Sequence, residues 1–157
     1  MPNVGQALAD AAARGDINAL NALLGDPEVR ALLGERGAAL RNQKVADFDA
    51  LNTLMADPQF QSACAANRAL MAAAENGHLD CVKALLTAGA DVNAVGYYYS
   101  TALKLAASNG RIEVVQTLVR SGAEVQPPSL EGPTAAEMAA KNGHGDIVQF
   151  LIQANGS

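Results

Sequence analysis

Aromatic side chains are scarce, at 4% of the 157 residues with no tryptophan, although half of the chain is apolar. A core organised around large rings is therefore excluded, and the abundant alanine suits many thin, closely packed helices. Cysteine is almost absent. Cys64 and Cys81 are the only two, and without CxxC spacing they suggest a reducing compartment rather than a disulfide framework. Clustered positive charge is missing as well. Residues 1–66 carry five Lys/Arg against eight Asp/Glu, residues 67–157 carry six against eight, and the net charge is −5. Phosphate backbones are bound by clusters of Lys and Arg, so no nucleic-acid partner is expected. No run approaches the ~18 apolar residues of a membrane helix, so no membrane partner is expected either. The N-terminal MPNVGQALADAAARGD lacks the basic-then-apolar order of a secretory signal. These bounds predict one helical domain over 1–157 in the cytoplasm, or in a host cytosol if the protein is a secreted effector.

What the chain does have is a period. Asn76-Gly77, Asn109-Gly110 and Asn142-Gly143 recur at 33-residue steps. In the same register stand Ala74, Ala107 and Ala140, then Val82, Val115 and Val148, then Leu85, Leu118 and Leu151. Asp80, Glu113 and Asp146 supply an acid near each second-helix start, and Gly89, Gly122 and Asn155 close each unit. Agreement of so many columns at one period marks a repeat architecture. Upstream, AAARGDINALNALLGDPEV (residues 11–29) resembles AAENGHLDCVKALL (residues 73–86), and ADFDALNTLMADPQF (residues 46–60) resembles residues 15–29. Both upstream units end in Asp-Pro, at Asp26-Pro27 and Asp57-Pro58. Anchors at 15, 46, 77, 110 and 143 predict five repeats, over about 4–29, 30–60, 67–94, 100–127 and 133–155, with the second irregular.

Each unit reads as helix, tight turn, helix, loop. In the fourth, Leu103, Ala106 and Ala107 share one face at helical spacing. Gly110 ends that helix, as glycine beyond a helix end commonly does. Val114, Val115, Leu118 and Val119 then form the stripe of the second helix, and Glu113 favours the positive end of its dipole. One such pair cannot bury its apolar flank, but stacked pairs can. Leu118 and Leu151 are expected between layers.

The residues Asn76 to Ala94, NGHLDCVKALLTAGADVNA, resemble the ankyrin-repeat family over their whole length, and residues 101–125 and 134–152 resemble it nearly as well. The resemblance implies an all-α solenoid of about five stacked helix-turn-helix repeats with projecting finger loops, a scaffold that binds proteins and carries no cofactor. The family's Thr-Pro-Leu-His appears here as Arg68-Ala69-Leu70-Met71, Thr101-Ala102-Leu103-Lys104 and Thr134-Ala135-Ala136-Glu137. The lost proline removes a favoured first-turn residue. The lost histidine removes the family's loop-tying hydrogen bonds.

By the same resemblance, finger loops and first helices form a concave binding face. Its residues would be Asn67, Met71 and Glu75 in the third unit, Ser100, Lys104, Ser108 and Asn109 in the fourth, and Leu130, Glu131, Glu137 and Lys141 in the fifth. Met71, Lys104 and Glu137 share one column, so apolar, cationic and anionic groups follow each other, which suits a specific protein or peptide. All three tyrosines, Tyr97, Tyr98 and Tyr99, fall in one finger. Tyrosine gives large contact area at low entropic cost, so Tyr97 and Tyr98 are candidate partner contacts.

His78 and His144 share a column with Arg111 just after the turn glycine. No set of Cys, Asp or Glu recurs around them at ligand spacing, so they read as turn residues ordered by stacking. Cys81 reads as core and Cys64 as an accessible loop thiol. Asn93 reads as an asparagine bracing its finger. No G-x-S-x-G, Walker loop, Rossmann glycine set or zinc signature is present, so no catalytic or metal site is expected. The alternatives are a self-associating structural solenoid or a non-catalytic subunit of an enzyme complex. Phe150, Leu151 and Ile152 lie where a polar outer cap is needed, although a monomer is favoured over a homo-oligomer.

Overall fold

The computed structural model describes residues 4–27, 58–95, 100–125 and 132–156. Among these residues the chain forms eight helices and no strand. They are α1 (Val4–Arg14), α2 (Ile17–Leu24), α3 (Pro58–Asn76), α4 (Leu79–Thr87), α5 (Ala102–Ser108), α6 (Ile112–Arg120), α7 (Ala135–Lys141) and α8 (Gly145–Asn155).

The first helix of each pair ends the same way. In α5 the helix runs out at Asn109, and Gly110 takes a φ of +74°. This left-handed step lets the Arg111 N–H reach back to the Ala106 carbonyl at 2.9 Å, the six-to-one bond of a glycine-terminated helix. His78 to Ala73 and His144 to Ala139, both at 2.9 Å, repeat it. The chain emerges antiparallel and starts the next helix at once. The acids near these starts fall where the sequence placed them, with Asp80, Glu113 and Asp146 in the first turns of α4, α6 and α8. The missing proline is offset at α5 and α7 by threonine caps. Thr101 accepts from the Lys104 N–H, and Thr134 forms a reciprocal capping box with Glu137.

The pairs stack in a row. First helices touch in the order α1, α3, α5, α7, and second helices in the order α2, α4, α6, α8. Small residues of the first row allow close approach, since Ala69, Ala73, Ala74, Ala106, Ala107 and Ala139 are all buried. Branched residues of the second row fill the layers between. Val82, Leu85, Val114, Val115, Leu118, Ile147 and Leu151 are buried, and they form one continuous core with the alanines.

Two expectations change in the N-terminal half. The sequence steps set a unit of about 30–60 between the first and third units. The contacts instead join α1 directly to α3 and α2 directly to α4. Neighbouring layers there are anchored at Gly15 and Gly77, nearly double the step from Gly77 to Gly110 or from Gly110 to Gly143. Most of the 30–60 stretch lies outside the described residues. The second change concerns α3, which begins at Pro58, well before residue 67. Position 64, expected in a loop, is therefore inside a helix.

Candidate protein-interaction surface

The turns between helices lock each layer to the one before. The His78 Nε2 lies 3.0 Å from the Ala13 carbonyl oxygen, and the His144 Nε2 lies 3.2 Å from that of Ser108. The Arg111 Nε–H donates to the Glu75 carbonyl at 3.4 Å. Each acceptor stands two residues before a turn glycine, in the last turn of a first helix. Such carbonyls have no partner within their own helix, so a donor from the next layer satisfies them. The same three side chains occupy the space where a Cβ on Gly15, Gly77 or Gly110 would stand. The column His78, Arg111, His144 is thus a structural lock, in line with the turn role expected from the sequence. Asn142 adds a second tie, donating to the Ser108 carbonyl at 3.0 Å and to its hydroxyl at 2.8 Å.

The finger loops are tied as well. Asn67 Oδ1 accepts from the Asp91 N–H at 2.9 Å, fixing the first described finger to α3. Asn93 bridges to the next finger. Its Nδ2 donates to the Gly122 carbonyl at 3.1 Å, and its Oδ1 accepts from the Glu124 N–H at 2.8 Å. This asparagine supplies the finger-to-finger tie that the lost histidines left open. A column signal for it was absent from the sequence, because no asparagine recurs one period later, where Gln126 stands.

The candidate contact residues separate into four groups. Glu75, Asn109, Glu137 and Lys141 are exposed along the first-helix row, and Met71 beside them is half-buried. Asn67, Ser100 and Ser108 are half-buried, and Asn67 and Ser108 accept hydrogen bonds from within the fold. Lys104 corrects the expectation of a solvent-facing cation, because it is only 6% exposed. It lies on a middle first helix, with layers packed on both sides, where even a column of varied chemistry is covered. Tyr97, Tyr98, Leu130 and Glu131 lie outside the described residues.

Other chemistry is thin. A shallow groove at the second-helix starts is lined by Gly15, Gly77, His78, Asp80, Cys81 and Glu113. Cys81 is buried, and burial, followed by Asp80 and then Asp16, pushes its thiol pKa up. A raised pKa holds sulfur in the protonated, unreactive form at neutral pH. Among the described residues no three His, Cys, Asp or Glu gather as metal ligands, and no helix is long and apolar enough to cross a membrane.

A family model described as ankyrin repeats, in three copies, matches residues 6–129. The chain belongs to the ankyrin-repeat family. Ankyrin repeats generally serve as protein–protein interaction modules and are generally non-catalytic. The stacked pairs described above are ankyrin layers, and α7 with α8 extends the row beyond the matched residues by the same locks. No curated protein matches the chain.

Proposed function

We propose that this ankyrin-repeat protein binds a partner protein or peptide along its first-helix row and finger loops. The observation that carries the reading is a division of labour among columns. Turn and interlayer columns repeat the same chemistry and are buried or hydrogen-bonded. The outward first-helix columns vary instead, as Glu75, Ser108 and Lys141 do in one and Met71 and Glu137 do in another. Side chains that stacking does not require are free to be chosen for a ligand, and mixed charge around an apolar centre favours specific over merely electrostatic binding. Tyr97 and Tyr98 are the proposed aromatic anchors, resting on the sequence alone.

The test is selection of binders from a random peptide library against the whole protein. Amide chemical shifts then locate each selected peptide. Perturbations at Met71, Glu75, Glu137 and Lys141, with binding weakened at least about tenfold by Tyr97→Ala with Tyr98→Ala, are expected, one hot-spot loss being worth roughly 1.4 kcal/mol or more. Peptides that map instead to the outer sides of α4 and α6, or bind the double variant equally well, would remove this surface from consideration.

A further inference from the structure

One outward column of the first-helix row keeps its residue from layer to layer. Asn76, Asn109 and Asn142 stand at the ends of α3, α5 and α7, and all three are exposed. This exposure does not come from the row running out. Both α3 and α5 have a layer on either side, and Asn76 and Asn109 stay open to solvent all the same.

Each amide is bound by one end only. The Asn76 Nδ2 donates to the Ala72 carbonyl at 2.9 Å, and the Asn109 Nδ2 to the Leu105 carbonyl at 2.8 Å. The Asn142 Nδ2 donates to the Ser108 carbonyl at 3.0 Å and to its hydroxyl at 2.8 Å. A carbonyl accepts only from the NH2, so the end of the side chain in use is fixed. The Oδ1 of each asparagine is left without a partner among the described residues. The bound carbonyl lies in the same helix for Asn76 and Asn109 but in the neighbouring helix for Asn142, so no single local bond accounts for the constancy of the column. Three acceptors remain, one per layer. They sit at helix C-terminal ends, where the dipole is negative, and the charge they complement is that of N–H donors.

A column that varies discriminates side chains. A column that repeats reads what a ligand repeats, which is its main chain. Packed helices lie about 8–10 Å apart. A polyproline II chain has three residues per turn and rises about 3.1 Å per residue. Its N–H groups at i, i+3 and i+6 therefore return to one side every ~9 Å, close to the layer spacing. In a β-strand, successive N–H groups alternate between the two edges, so those at i and i+3 point apart, and residues i and i+2 are only about 6.6 Å apart. In a helix, the N–H groups are spent on its own carbonyls.

We propose that Asn76, Asn109 and Asn142 bind the main chain of a polyproline II peptide in which every third residue is not proline, each free N–H going to one Oδ1. The inference rests on the first-helix row being the binding surface and names the class of peptide it takes. The line spans about seven ligand residues. It starts at α3, because the residue before Gly15 is Arg14, a donor that is already bound to the Asp10 carbonyl through Nε.

The probe is a peptide of repeated Ala-Pro-Pro units, compared with acetylated oligoproline of the same length, which keeps the conformation but has no N–H along its chain. Both are titrated into the whole protein while the side-chain amide resonances of the three asparagines are followed. The Ala-Pro-Pro peptide is expected to shift all three together and to bind at least about tenfold more tightly than oligoproline, the sum of several modest hydrogen bonds. Asn109→Ala weakens it about threefold or more, whereas Asn109→Asp, which keeps an acceptor oxygen and loses the NH2, binds as the unaltered protein does. Equal affinities for the two peptides overturn the proposal, and this comparison needs no variant to fold. Asn109→Asp losing as much affinity as Asn109→Ala overturns it too. Library peptides that settle on this row as helices or as strands leave the binding surface in place and overturn this inference alone. A row that takes neither library peptides nor Ala-Pro-Pro overturns both.

Discussion

Leu118→Ala lowers the stability of this protein by roughly 2–5 kcal/mol, the range for a buried leucine that leaves a cavity. Leu118 is fully buried on α6, and α6 has α4 packed on one side and α8 on the other. Neither neighbour can collapse into the gap without breaking its own lock, so the cost belongs in the upper part of that range. A domain of this size is stable by only about 5–15 kcal/mol, so the substitution removes a large share of the total. Urea denaturation measures it. Ile152→Ala is the control, because a mostly exposed side chain changes stability by no more than about 0.5 kcal/mol. A Leu118→Ala cost below about 1 kcal/mol would contradict burial between layers.

Gly110→Ala and Gly143→Ala separate backbone strain from the lock between layers. Both glycines have positive φ, at +74° and +82°, and alanine there costs about 1–2 kcal/mol from left-handed strain alone. Among the described residues, Gly110 has a neighbour in its Cβ space and Gly143 has none. A methyl group would stand 2.7 Å from His144 Cε1, so the ring must leave and its contact with the Ser108 carbonyl is lost. That adds roughly 1 kcal/mol. The expected order in urea titrations is Gly110→Ala costing about 1 kcal/mol more than Gly143→Ala. In the background of His144→Ala, the difference should shrink, because contacting residues are not additive. Equal costs in the unaltered background would mean that the imidazole contributes nothing to stacking.

Much of this fold is legible in the residues. The columns Val82/Val115, Leu85/Leu118/Leu151 and Ala74/Ala107 are buried as their period requires, because a solenoid repeats its environment wherever it repeats its sequence. Two things were not legible. Likeness between the segments anchored at 15, 46 and 77 says that they are similar, not that they are adjacent, so the direct packing of α1 on α3 could not be read from it. Within the candidate site, Lys104 shares a column with exposed Glu137, yet is itself buried. Glu137 belongs to the last described layer, whereas α5, which carries Lys104, has α3 on one side and α7 on the other. Asn67 looked like a surface polar group, yet its partner is a main-chain atom, which a side-chain pattern does not reveal, whereas Asn93 braces its finger as read.

Nuclear Overhauser contacts of the two histidine rings test the stacking order most directly. Layers arranged as described give cross-peaks from the His78 ring to Gly15 and Ala13, although the whole of the 30–60 stretch separates them along the chain, and from the His144 ring to Gly110 and Ser108. Rings that show contacts only within their own turns, or a His78 ring with no contact to the Gly15 turn, would contradict it.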